Sequence, residues 1–306
     1  MNDAKPLIGK LALIGIGLIG SSVARAAREV GLAGEIAASA ATDGSLEAAA
    51  RLGIVDQTDL DPAKVVADAD LVLLCTPIGV YRPVTEKFAK ALKPGAIVSD
   101  VGSVKAVVKK DLADLIPEGV HLIPGHPVAG TEKSGPEAGF AELFHGRWAI
   151  LTPDEDVDTD ALETLKAFWR GLGSRVELMD AEHHDLVLAI TSHVPHLIAY
   201  NIVGTASDLE TVTESEVIKY SAGGFRDFTR IAASDPTMWR DVFLSNSEAV
   251  LEMLARFSED LTALRRAIRW KDGEALHALF TRTREIRRSI IDAGQDTAEP
   301  DFGREH

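Results

Sequence analysis

Cysteine is nearly absent: Cys75 is the only one in 306 residues, so no internal disulfide can form, and no Cys/His spacing of a zinc site accompanies it. A reducing, cytoplasmic compartment suits such a chain. Positive charge is also in short supply. Lysine and arginine number 32 against 47 aspartates and glutamates, a formal charge of −15, which argues against general binding to nucleic acid or to an anionic membrane, because both reward a basic face. An anionic ligand would need a local arginine cluster. Missing too is any uninterrupted apolar run near the roughly 20 residues that span a bilayer, and the opening MNDAKPLIGK has no apolar signal-peptide core. The expectation is a soluble, unprocessed protein with no metal, nucleic-acid or membrane partner. Internal repeats and low-complexity segments are absent as well.

What remains is an ordinary globular composition in a chain long enough for two cores. Residues 10–16 (KLALIGI) form a short apolar run that leads into Gly15-Ile16-Gly17-Leu18-Ile19-Gly20, followed by the helical pattern SSVARAAREVG. The first glycine permits a tight turn, the second lets backbone approach a pyrophosphate, and the third allows close packing of helix on strand, with the helix N-terminus favouring the negative charge. In this setting GxGxxG predicts dinucleotide binding. An acidic residue about 20 positions on would select NAD through the ribose, yet that position is Ala40. Asp43 comes three residues late and reads equally well as a helix N-cap. No arginine is nearby to welcome a 2′-phosphate, so NAD and NADP both stay open.

Strand and helix patterns then alternate: strands at 35–39, 70–76, 96–101 and 120–123, helices at 80–92 and 105–115, and late strands at 147–151 and 175–179 around a helix at 160–172. Alternation of this kind predicts a doubly wound parallel sheet whose strand ends bind ligands. Thr76, Pro77 and Ser103 are therefore expected beside the dinucleotide. The strand at 120–123 is expected to deliver His126 to the same edge. His126 opens GHPVAGTEKSGP, residues 125–136, a loop carrying a group that titrates near neutral pH, a hydroxyl in Thr131 and charges in Glu132 and Lys133. Such a loop can handle a substrate hydroxyl and an anion.

From Asp180 onward only helix patterns remain, including one at 214–220, and the domain boundary is expected near 179: a dinucleotide-binding domain over 1–179, a helical domain over 180–296 and a polar tail over 297–306. His193 and His196 flank Pro195, three residues apart and hence on one helix face, with a kink between them. Residues 222–241 carry Arg226, Arg230 and Arg240 among glycines and aromatics, as a carboxylate-bearing substrate would require. Arg240 is expected to pair with a neighbouring aspartate instead.

GIGLIGSS, DVGSVK at 100–105, GHPVAGTEKSGP, SHVPH at 192–196 and GGFRDFTRIAASDPTMWRD at 223–241 together resemble the prephenate/arogenate (cyclohexadienyl) dehydrogenase family of tyrosine biosynthesis. The resemblance implies a Rossmann-like domain followed by an all-α dimerisation domain, a homodimer, and oxidative decarboxylation of prephenate to 4-hydroxyphenylpyruvate or of arogenate to tyrosine, with hydride transfer to NAD or NADP. It also implies roles: His126 accepts the hydroxyl proton, Ser103 orients the hydroxyl and the nicotinamide, and Arg230 clamps a carboxylate. Arg226, His196, His193, Thr131 and Glu132 would shape the pocket, with Trp239 entering from the partner subunit. Two alternatives are a dehydrogenase of another small hydroxy acid, which predicts a catalytic lysine in the helical half where Lys219 lies, and a catalytically silent nucleotide-binding scaffold.

Overall fold

The computed structural model describes residues 5–210 and 222–292. Two compact units are present, Met1–Val250 and Leu251–His306. In the first, strand β1 (Ile8–Ile14) pairs in parallel with β2 (Ala33–Ser39) on one side and β4 (Leu71–Leu74) on the other, and β3 (Gln57–Thr58), β5 (Ile97–Asp100) and β6 (His121–Leu122) complete a six-stranded sheet of order β3-β2-β1-β4-β5-β6. The order reverses between β1 and β4, which opens a crevice at the carboxyl ends of the strands.

Both faces of this sheet are buried, which explains the continuous apolar runs. Successive side chains of a strand point to opposite faces: Leu11, Leu13, Leu71 and Leu73 join one core, and Ala12, Ile14, Val72 and Leu74 the other. Helix α1 (Leu18–Glu29) lies on the first core and packs there through Val23, Ala24 and Ala27. Small residues on that face let it come close to the strands.

His126 is not carried on the main sheet. Strand β6 stops at Leu122, and His126 sits on β7 (Gly125–Pro127), the edge of a separate three-stranded sheet in which β7 runs antiparallel to β8 (Trp148–Leu151) and β8 parallel to β9 (Arg175–Leu178). Helix α6 (Thr159–Gly171) makes the crossover between the last two, and buries Leu165, Phe168 and Trp169. The expected edge is nonetheless reached, because the Asp100 carboxylate at the end of β5 accepts the Gly125 N–H at 3.1 Å. Another expectation is corrected at residue 43. The helix there, α2 (Asp43–Arg51), begins at Asp43, and Thr42 is its N-cap.

Beyond β9 the chain is helical: α7 (Ala181–Leu188), a π-helical turn over Ala189–His193, and α8 (Val194–Glu210). The break expected at Pro195 is this π turn, which ends where proline removes a donor from the ladder. The helical span 181–208 is long enough to cross a membrane, and it contains an 18-residue window apolar enough to do so by composition. Its polar side chains His184, Asp185 and His193 are buried in the protein and hydrogen-bonded there, the mark of a helix packed on protein. After the undescribed stretch, which contains the helix expected at 214–220, come α9 (Gly223–Thr229), a 3₁₀ turn over Arg230–Ala233, and α10 (Pro236–Ser245). Helix α11 (Ser247–Trp270) and helix α12 (Gly273–Asp292) end the described chain.

Candidate active site

The loop from β1 to α1 has the form a dinucleotide requires. Gly15 takes φ +105°, and a Cβ there would lie 2.7 Å from the Cys75 carbonyl; a Cβ on Gly20 would run into the Gly15 carbonyl. Gly17, by contrast, faces open space on its Cβ side and caps α1 with no side-chain hydrogen bond. Free N–H groups at a helix start, beside a glycine with nothing in front of it, fit a pyrophosphate. Ile16 and Gly20 are buried and Leu18 and Ile19 half-buried, so the motif's apolar residues anchor the loop from behind. Across the crevice Thr76 has a buried hydroxyl with no hydrogen-bond partner, next to the exposed Pro77. A bound dinucleotide is the natural partner for that hydroxyl.

Returning from His126, the 125–136 loop runs back over α1. A Cβ on Gly139 would collide with Ser21, and the Phe140 N–H donates to the Ser22 hydroxyl at 3.2 Å. The histidine loop and the glycine loop are thereby held side by side.

His126 is buried, and beneath it lies a polar cluster that does not follow from the sequence pattern. Lys105, fully buried, forms an ion pair with Asp100 and donates to the Gly125 carbonyl at 2.6 Å. Asp100 also accepts from the Gly102 N–H at 2.9 Å and the Tyr81 hydroxyl at 3.2 Å. One buried pair therefore fixes both the strand that carries His126 and the turn that carries Ser103. Burial lowers the Lys105 pKa, an effect the Asp100 charge opposes.

Behind His126, its Nδ1 lies 2.9 Å from His184 Nε2, and His184 Nδ1 lies 2.8 Å from Asp185 Oδ1. Burial, then the charges of His184, Lys105 and His193, hold His126 far below the usual imidazole range. Burial likewise pushes His193 down to about 4. His193 Nδ1 contacts the Asn246 amide at 3.1 Å, whereas its Nε2 makes no hydrogen bond of good geometry, although the Ser103 main chain lies close enough to favour the protonated form slightly.

Trp239 joins the helical residues to one another. It stacks on His196 at a ring separation of 3.7 Å and meets His193 edge-on at 6.1 Å. The ring is buried within its own chain. His196 donates from Nδ1 to the Ser192 carbonyl at 2.9 Å; burial, then the Arg230 charge, lowers its pKa against the opposing effect of that bond. Arg230 pairs with Glu132 at 2.6 Å, and its Nε is buried without a partner. The turn bearing Arg230 is held by the Tyr200 hydroxyl, which donates to the Ser234 carbonyl at 2.7 Å.

The structure thus brings together His126, Ser103, His193, His196 and Trp239, and joins Arg230 to Glu132 and His196. Thr131 is exposed and accepts from the Lys133 N–H at 3.2 Å; Arg226 is exposed one helical turn before Arg230. Arg240 pairs with Asp241 at 2.6 Å, as the sequence suggested. Lys219 lies outside the described residues. Among those described, no cluster of three or more His, Cys, Asp or Glu could hold a metal ion.

A cradle for a dinucleotide pyrophosphate beside a buried imidazole, with an arginine holding a spare donor nearby, is suited to taking hydride from a hydroxylated anion. Fold and site together define an NAD(P)-dependent dehydrogenase. Comparison with known proteins sharpens the class. Residues 23–178 match the prephenate dehydrogenase nucleotide-binding domain, and residues 180–282 the prephenate dehydrogenase dimerization domain. A cyclohexadienyl dehydrogenase of Zymomonas mobilis is 42% identical over 92% of this chain and 95% of its own. A prephenate dehydrogenase of Bacillus subtilis is 32% identical over 94% of this chain and 76% of its own. The crystal structure of prephenate dehydrogenase from A. aeolicus, in complex with hydroxyphenyl propionate and NAD+, superposes with a TM-score of 0.86 at 34% identity, covering 94% of this chain and 100% of that one. The chain belongs to the prephenate dehydrogenase family. Neither a different hydroxy-acid dehydrogenase nor a silent scaffold is favoured by these relatives.

Proposed function

We propose that this enzyme catalyses the oxidative decarboxylation of prephenate, and of arogenate where its side chain is accepted, for tyrosine biosynthesis. The observation that carries the reading is the buried His126, held between the dinucleotide loop and the helices that bear Arg230 and Trp239. A bound nicotinamide supplies a hydride acceptor. The protein's own residues do the rest. His126 accepts the proton of the ring hydroxyl as hydride leaves the same carbon, carbon dioxide departs from the opposite carbon so that the ring becomes aromatic, and the proton returns to the phenolate oxygen. Ser103, on the turn clamped by Asp100, orients the hydroxyl. Arg230 takes a substrate carboxylate through its spare Nε–H, and Arg226, Thr131, Glu132, His193, His196 and Trp239 line the remainder.

NAD is the cofactor we favour. Between Ser39 and Ser45, where the adenosine ribose of such folds lies, the chain offers one carboxylate, Asp43, and no cation. Arg51, further along α2, is engaged with Glu137 at 2.9 Å. Within that stretch a 2′-phosphate would meet hydroxyls and a carboxylate but no cation. A homodimer is favoured by the exposure of Leu244, Leu251, Ile268, Trp270 and Phe280, more large apolar surface than a monomer usually leaves in water. The second matching family model is itself a dimerization domain. A functional division near 179 is supported by the junction of the two matched models, and a cytoplasmic location by the single unpaired cysteine.

The experiment is a four-way comparison of initial rates, followed by absorbance, with prephenate or arogenate and NAD or NADP. Turnover of prephenate with NAD is expected. Turnover with arogenate alone would rename the substrate, NADP alone would overturn the cofactor reading, and none at all would overturn the function.

A further inference from the structure

His184 and Asp185 are absent from every role assigned above, yet they are buried and lead by hydrogen bonds to the reacting histidine. Asp185 Oδ1 accepts the Lys105 N–H at 2.7 Å and Oδ2 the Ala106 N–H at 3.0 Å, so both oxygens of its carboxylate are engaged as acceptors. The third bond, 2.8 Å to His184 Nδ1, must then place the hydrogen on the imidazole. With its hydrogen on Nδ1, a neutral His184 presents a bare lone pair at Nε2. The 2.9 Å contact from that atom to His126 Nδ1 therefore requires His126 to donate. His126 is left protonated on Nδ1, with the lone pair of Nε2 free.

We infer that Asp185 and His184 act as positioning residues that set the tautomer of His126, holding its Nε2 as the proton acceptor in catalysis. The role of His126 as base, proposed above, is the premise. Asp185 is itself anchored on three sides: by the start of α5 (Ala106–Leu112), by His184, and by Asn246, whose amide donates to the Asp185 carbonyl at 2.8 Å. The clamp is rigid for that reason. It also matters to charge. The charged and titratable groups described around the two imidazoles are Asp100, Lys105, Asp185 and His193. Lys105 and Asp100 neutralise each other, so Asp185 supplies the negative charge left to balance an imidazolium. When His126 takes a proton on Nε2, its Nδ1–H still donates to His184, and the positive charge faces Asp185 through one intervening ring. Without that chain a buried histidine, already disfavoured as a cation, would be a poor acceptor.

Two substitutions separate this role from simple packing. His184→Gln can place an amide oxygen where Nε2 stood and still accept from His126; His184→Leu fills the space and accepts nothing. His184→Leu is expected to lower kcat by about 100-fold with KM for prephenate nearly unchanged, and His184→Gln to retain kcat within about tenfold. Equal kcat in the two variants, or a loss confined to KM, would overturn the role. A second measurement needs neither variant nor substrate. In the wild-type chain with 15N-labelled histidine, ring NMR is expected to show His126 with its hydrogen on Nδ1 and a bare Nε2. The opposite tautomer overturns the clamp even if the enzyme turns over prephenate, and the expected one supports it even if another substrate proves correct.

Discussion

Beneath His126, Asp100, Lys105, His184 and Asp185 are shut away from solvent and bonded to one another or to main chain. On the side proposed to take the carboxylate, Arg230 and Glu132 are half-exposed and Thr131 and Arg226 exposed. The end of the site around His126 is enclosed, and the end around Arg230 is open to solvent. A base must be held in one tautomer and one direction, which demands many fixed partners. An arginine that meets an incoming anion gains from staying accessible, and a donor it already holds spare can take that anion without giving up Glu132. Buried ion pairs such as Lys105–Asp100 seldom add much net stability, because desolvation offsets attraction. Their contribution here is position.

If that contrast is right, disturbing the buried end should damage the fold and disturbing the open end should not. Lys105→Met leaves the Asp100 charge buried and unpaired, and a loss of about 3–5 kcal/mol is expected in urea unfolding; a loss under about 1 kcal/mol would break the comparison. Acid should act on the same end. Burial holds His126, His184 and His193 below the ordinary imidazole range, His193 at about 4, so between about pH 6.5 and 4 the unfolded chain binds more protons than the folded one. Stability is therefore complete above about pH 6.5 and declines as pH falls through that window, with His193 alone accounting for on the order of 3 kcal/mol. A urea midpoint that stays flat from pH 7.5 to 4.5 would contradict this. At the open end, Arg230→Ala should change stability by no more than about 1 kcal/mol. The surface pair Arg51–Glu137 supplies the smallest effect: Arg51→Ala is expected to shift stability by less than about 0.5 kcal/mol, and a larger shift would show that exposed pairs matter more here than supposed.

How legible each end was in the sequence follows the same division. The dinucleotide loop could be read from GIGLIGSS because each glycine answers a local backbone demand, and the parallel sheet from runs that alternate with helices. The sequence singled out His126 but did not show its place in a second sheet. A three-residue strand carries no periodicity, and its partner Trp148–Leu151 lies some twenty residues on, across a glycine-rich loop. Lys105 sat in plain view within DVGSVK, yet nothing in the spacing says that a lysine will be buried. His184 and Asp185 read as the polar start of a helix, since their partners at 105, 106 and 126 are supplied by tertiary structure. Trp239 was attached to the pocket by resemblance alone, and its stacking on His196 is again a tertiary contact that spacing does not show.

The most direct test of the two-ended pocket is a side-by-side determination of kcat and KM for prephenate with NAD in His126→Asn and Arg230→Ala. His126→Asn is expected to lower kcat about 1,000-fold with KM within a few-fold of wild type, and Arg230→Ala to raise KM about 10- to 100-fold with kcat nearly kept. The same change in both parameters from both variants would contradict the account, because chemistry and binding would then not reside at separate ends.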